Sequence, residues 1–163
     1  MGPTGPVSTG PPGPPGPVGP PGPVVPPKCN EESCPEGFWN GNGVCYKMFH
    51  SPLVFSEAAT TCRLHGGTLA MPRDPMSNLL IRGGQSHQFW IGLNDRRVDG
   101  FFEWIDGTPL GSYSFWGPGQ PDDRNHEDCV EFRYFNKKGE SYWNDMPCDY
   151  SLPFMCQVIP GQT

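Results

Sequence analysis

What the chain lacks already narrows its function. Lys and Arg number 11 against 17 Asp and Glu, a formal charge of −6. Neutralising phosphates needs a basic face, and none shows in the sequence order, so nucleic acid is not an expected partner. No apolar run approaches the roughly 20 residues of a membrane-spanning helix. Cys-x-x-Cys, His-x-Glu and His-Glu-x-x-His are all missing, which removes the common zinc-ribbon, redox and zinc-hydrolase patterns. No nucleophile and base stand in a context that suggests catalysis, so an enzyme is not expected. Met1 is followed by Gly-Pro repeats instead of a charged and then apolar leader, the order expected of a fragment or a mature form.

Residues 1–28 lack still more. They hold no aromatic side chain and no charge except Lys28, while carrying 7 of the 22 Gly and 12 of the 22 Pro. Such a stretch cannot bury a core, so the chain divides into a Pro/Gly-rich tail, 1–28, and one domain, 29–163. Gly10, Gly13, Gly16, Gly19 and Gly22 open five unbroken triplets ending at Val24, with Pro at most of the places between. That is the register of a collagen triple helix, where only Gly fits at the axis; a single-chain polyproline stalk is the alternative. Ser8 breaks the rhythm that Gly2 and Gly5 begin.

The domain is rich in what the tail lacks. All of its aromatics lie between Phe38 and Phe154, and it holds the seven cysteines, at 29, 34, 45, 62, 129, 148 and 156. Disulfides are the expected state, which places the protein in the secretory pathway and outside the cell; their connectivity stays open on sequence alone. Phe38 to Lys47 reads as strand, Asn-Gly turn, strand. Ser56 to His65 reads as a helix capped by Ser56 and stopped by Gly66. A second helix is capped by Asp74, starts at Pro75, uses Leu79, Leu80 and Ile81 as apolar surface, and ends at Gly83-Gly84. Phe89 to Leu93 suits a buried strand, and Val130–Phe135 with Ser141–Trp143 suits a closing hairpin.

Between Asn94 and Asp128 there is little periodicity but many carboxylates and aromatics. From Asp95 to Asp145 eleven Asp or Glu face six Lys or Arg, with Asp122, Asp123, Glu127, Asp128 and Glu131 inside ten residues. A solvated acidic loop explains such a run on charge alone; an ordered, aromatic-rich loop calls for a bound cation to offset the repulsion.

Trp90-Ile91-Gly92-Leu93, Gln120-Pro121-Asp122, Glu127-Asp128-Cys129 and Trp143-Asn144-Asp145, in this order with these cysteines, resemble the C-type lectin domain over about residues 34–156. The resemblance implies an α+β fold with two helices, small antiparallel sheets and a long calcium-binding loop region. It implies disulfides Cys34–Cys45, Cys62–Cys156 and Cys129–Cys148, leaving Cys29 to bridge chains, stay a free thiol or exchange with Cys34. A collagen-like tail with a lectin head resembles the collectins, and a homotrimer through the tail and Cys29 is the matching assembly. Only about six residues, Val25 to Asn30, separate the triplets from the head, too few for the coiled-coil neck of that family.

The resemblance also assigns a site. Gln120, Asp122, Glu127, Asn144 and Asp145 match the ligands of the principal Ca2+, and vicinal hydroxyls of a glycan complete its shell. Gln120, Asp122, Glu127 and Asn144 then exchange hydrogen bonds with the sugar. His126 is a further candidate sugar contact, or simply a solvated loop histidine. Asp95, Asp99, Asp123, Glu127 and Asp128 match an auxiliary Ca2+ site, with Asp99 in place of a commoner Glu. In the family the proline of the tripeptide is cis, which aims both flanking side chains at one ion. Gln-Pro-Asp resembles lectins that prefer galactose or N-acetylgalactosamine, although no Trp follows it here. The expected function is therefore a secreted calcium-dependent lectin; a matrix protein using the same fold on a protein or mineral ligand is the alternative.

Overall fold

The computed structural model describes residues 33–82, 87–122, 126–135 and 140–161. The triplets from Gly10 to Val24, Cys29, Gly83-Gly84, Asp123 and Lys137-Lys138-Gly139, where the expected closing hairpin would turn, lie outside the described residues.

The elements run β1 (Trp39–Gly41), β2 (Val44–Leu53), α1 (Phe55–Leu64), β3 (Thr68–Leu69), α2 (Pro75–Arg82), β4 (Gln88–Asn94), β5 (Glu103–Trp104), β6 (Cys129–Phe135), β7 (Glu140–Met146) and β8 (Leu152–Val158). The strands join in one sheet of order β1-β2-β8-β4-β6-β7, with β3 on β8 and β5 on β4; β4 and β8 are parallel and the other pairs antiparallel. This is the expected α+β architecture.

Local chemistry sets most of the element ends. Asn42 and Gly43 sit at φ 57° and 91°, the pair of left-handed conformations a tight two-residue hairpin turn requires. Asp74 caps α2 as expected, its Oδ1 accepting the Ser77 backbone N–H at 2.8 Å. Helix α1 departs from expectation. It begins at Phe55 behind Val54, which offers no side-chain cap, so Ser56 lies inside the first turn. Phe55 is fully buried with its ring edge-on to Trp90, and that burial sets the start where polar capping would have set it later. In α2, Ile81 is buried while Leu79 is exposed.

Two buried clusters flank the sheet elements. One gathers Ile81, Phe89, Ile91, Leu93, Trp104, Phe132 and Trp143, the other Phe55, Leu69, Trp90, Leu152 and Phe154. Phe89 to Asn94 are all buried, as the apolar run predicts. Gly67 meets the backbone of β8 so closely that a Cβ there would stand 1.9 Å from the Gln157 carbonyl oxygen. The three disulfides are Cys34–Cys45, Cys62–Cys156 and Cys129–Cys148, the pairing the resemblance implied.

Candidate functional site

The β6–β7 hairpin is the floor of the site. Its register sets Glu131 opposite Asn144 and Val130 opposite Asp145. The aperiodic segment after β5 is tied to that floor by backbone hydrogen bonds, Trp143 N–H to the Phe115 carbonyl at 2.8 Å and Gly117 N–H to the Trp143 carbonyl at 3.0 Å. Trp143 is the buried hub of this join: the rings of Trp104, Tyr113 and Trp116 meet it edge-on, and its Nε1 donates to Asn78 Oδ1 of α2 at 2.9 Å. Half-buried Trp116 thus belongs to the wall of the site.

From this anchor the chain delivers the tripeptide. Gln120 N–H donates to the Gly117 carbonyl at 3.0 Å, the Gln120–Pro121 peptide is cis, and the Asp122 N–H donates to Asp145 Oδ1 at 3.3 Å. Carboxylate oxygens of exposed Asp122, half-buried Glu127 and fully buried Asp145 lie within 4.8 Å of one another. His126, exposed and left-handed at φ 59°, precedes Glu127.

A second trio, Asp95, Asp99 and Asp128, meets the same 4.8 Å limit. Asp95 N–H donates to the Asp128 carbonyl at 3.0 Å, and Asp95 Oδ2 accepts the Gly100 N–H at 2.8 Å, so the loop after β4 is folded back onto the start of β6. The residues expected to hold two ions therefore fall into two groups. Glu127 groups with Asp122 and Asp145.

The donor chemistry suits a hard cation. All candidate ligands are carboxylate or amide oxygens, and three carboxylates at this spacing repel one another without a positive charge between them. Gln120 Oε1 is buried and has no hydrogen-bond partner among the described residues. A buried carbonyl oxygen left in that state costs about 1–3 kcal/mol, which coordination to a cation would remove. Beside the tripeptide a groove of about 730 Å³ opens between Val98, Phe102, Leu110, Trp116 and Pro121.

One member of this neighbourhood carries no sequence expectation as a site residue. Glu131 is fully buried, accepts Asn144 Nδ2 at 2.8 Å and stands 3.6 Å from Arg133 Nη1. Burial pushes its carboxyl above the ordinary range, while the Asn144 hydrogen bond and the Arg133 charge pull it back. The signal in the sequence was a charge inside the otherwise apolar Cys129–Phe132 run, which counted only towards the acidic total.

The sequence profile of the family described as "Lectin C-type domain" matches residues 51–158. The chain belongs to that family. As a C-type lectin domain it is 41% identical over 110 residues to collectin-10 of Gallus gallus, covering 64% of this chain and 38% of the relative. To collectin-10 of Xenopus tropicalis it is 37% identical over 119 residues, 70% of this chain and 42% of that one. The chain thus spans well under half the length of the curated relatives it matches. Among solved structures, the mouse scavenger receptor C-type lectin carbohydrate-recognition domain superposes with a TM-score of 0.71 at 27% identity, covering 80% of this chain and 99% of that one. A calcium-independent type II antifreeze protein superposes equally well, at TM-score 0.71 and 27% identity, over 78% of this C-type lectin chain and 95% of its own. No helix among the described residues is long and apolar enough to cross a membrane.

Proposed function

We propose that this C-type lectin domain is a secreted carbohydrate-binding protein that takes up Ca2+ and recognises vicinal hydroxyls of terminal galactose or N-acetylgalactosamine. The observation that carries the reading is the convergence of the Asp122, Glu127 and Asp145 oxygens next to Gln120, whose Oε1 is buried and has no hydrogen-bond partner among the described residues. Gln120, Asp122, Glu127, Asn144 and Asp145 would hold the principal ion, and Asp95, Asp99, Asp123, Glu127 and Asp128 an auxiliary one. A bound calcium supplies coordination positions beyond those the protein fills, which sugar hydroxyl oxygens occupy.

The protein's own part is to read hydroxyl geometry. Carboxylates of Asp122 and Glu127 accept hydroxyl protons, and the amide nitrogens of Gln120 and Asn144 donate to hydroxyl oxygens. Placing the amide before the proline and the carboxylate after it fixes the direction of those bonds, and with it the preference for an equatorial–axial hydroxyl pair. His126, exposed at the rim, is a further contact for the sugar. Binding is the whole activity; no bond is cleaved.

The collagen-like triplets from Gly10 to Val24 and the extra Cys29 support a homotrimer, and the collectin-10 relatives are in keeping with it. Clustering three weak sites raises avidity without new contacts. A second reading has its own support. The likeness to a calcium-independent type II antifreeze protein means that this fold also serves proteins named for something other than a glycan, which favours a structural role on a protein or mineral surface.

Chromatography on galactose-agarose separates the readings. Retention in millimolar calcium with release by chelator is expected. Retention that chelator leaves unchanged refutes the metal-dependent reading, and silence across a glycan array with calcium binding intact transfers the function to the second.

A further inference from the structure

Glu131 is hard to explain as a structural residue. It sits in β6 between Val130 and Phe132, fully buried, where an apolar side chain would pack without cost. Taking a carboxylate out of water is costly unless its oxygens are satisfied, and apolar replacement of buried charges is often neutral or stabilising. Its oxygens are only half satisfied. Oε2 accepts Asn144 Nδ2 at 2.8 Å with Arg133 Nη1 at 3.6 Å, and Oε1 has no hydrogen-bond partner among the described residues.

A carboxylate in this position does one thing that no apolar side chain can. The Asn144 side chain ends in a fork whose two arms are nearly equal in size and opposite in chemistry, an acceptor oxygen and a donor nitrogen. Turning the fork over costs little unless a neighbour tells the arms apart. An ionised carboxylate only accepts, so the nitrogen must face Glu131 and Oδ1 must face away. Only Oδ1 can ligate a hard cation, since the amide nitrogen carries protons and no available lone pair. The cross-strand register of β6 and β7, which pairs Glu131 with Asn144, holds the two side chains on the same face.

We propose that Glu131 is a positioning residue for the calcium site, fixing the Asn144 amide so that Oδ1 is offered to the ion and one Nδ2 proton remains for a sugar hydroxyl. The inference rests on the calcium reading of the site given above. It adds a residue that touches neither ion nor sugar.

The test is a calorimetric calcium titration of the full chain. The proteins are wild type, Asp122→Ala, Glu131→Gln, and Glu131→Gln combined with Asn144→Asp, and each is also melted in chelator. Asp122→Ala, an exposed ligand, identifies which binding step belongs to this site. A glutamine at 131 can meet either arm of the Asn144 amide, so the same step should weaken about 10- to 100-fold, the usual effect of losing a partner behind a metal ligand. The double variant exchanges donor and acceptor, returns an oxygen to the ion and should recover most of the lost affinity. If wild type and Asp122→Ala titrate alike, the calcium reading itself fails. If they differ but Glu131→Gln binds as wild type does, lowers only the melting temperature in chelator, or is not rescued by Asn144→Asp, the positioning role is refuted while the calcium reading stands.

Discussion

A buried side-chain hydrogen bond joins α2 to the site floor, and its removal has a calculable cost. Trp143 Nε1 donates to Asn78 Oδ1 at 2.9 Å; Trp143 is fully buried and Asn78 is 3% exposed. Asn78→Ala deletes the acceptor and leaves the indole N–H stranded away from water, which costs about 1–3 kcal/mol. The lost amide adds a small cavity to that figure. For a domain of this size each kcal/mol moves the melting temperature by roughly 3–6 °C, so Asn78→Ala should melt about 5–15 °C below wild type. Trp143→Phe removes the donor instead and forfeits part of the ring packing against Trp104, Tyr113 and Trp116. The double variant should cost less than the sum of the two, by about 1 kcal/mol of coupling. Near-UV circular dichroism, recorded in chelator so that no cation contributes, follows all four proteins. Asn78→Ala melting within 2 °C of wild type, or strictly additive effects, would show that the bond contributes nothing and that water satisfies the indole, about the level at which such effects cease to count.

The disulfides should rank by the length of chain they close. Replacing both cysteines of a pair by Ala should cost about 4.7 kcal/mol for Cys62–Cys156, with its separation of 94 residues, about 3.3 for Cys129–Cys148 at 19, and about 2.8 for Cys34–Cys45 at 11; denaturant midpoints in the inverse order would sink the chain-entropy account. Exchanging amide and carboxylate, Gln120→Glu with Asp122→Asn, reverses the hydrogen-bond direction at the proposed sugar site. Retention should pass from galactose-agarose to mannose-agarose, and an unchanged preference would place selectivity elsewhere in the loop.

The parts legible in the sequence are those fixed by local chemistry. Asn42-Gly43 could form only one kind of tight turn, and Asp74 three residues before Ser77 was a cap in the chain itself. The run Phe89 to Leu93 had no polar face to expose. What escaped was set by distant partners. Helix α1 starts at Phe55 because Trp90 receives its ring. The central strand β8 carried no sequence expectation, and its Pro153 is a residue seldom found in a strand interior. In the fold this proline falls where the β2–β8 register shifts between Phe49 and Leu53, a place where a missing N–H breaks no regular ladder. At the site, the motifs were legible as a resemblance and the fold brings two acidic trios together. The role of Glu131 was not legible, since nothing along the chain shows that residues 131 and 144 face each other across a hairpin.

The arrangement also explains why so much acid can be gathered in one place. Repulsion among Asp122, Glu127 and Asp145, and among Asp95, Asp99 and Asp128, opposes folding before any cation binds. The restraint comes from the segments on which these residues stand. Asp128 adjoins Cys129, and Cys148 lies just past Asp145, so the Cys129–Cys148 bond closes the end of the β6–β7 hairpin at which the acids sit. Trp143, locked to α2 through Asn78, holds the neighbouring strand from the other side. The Cys129–Cys148 bond and Trp143 thus restrain the hairpin end at which Asp128 and Asp145 sit. On the calcium reading proposed above, removing the cation should leave the domain folded.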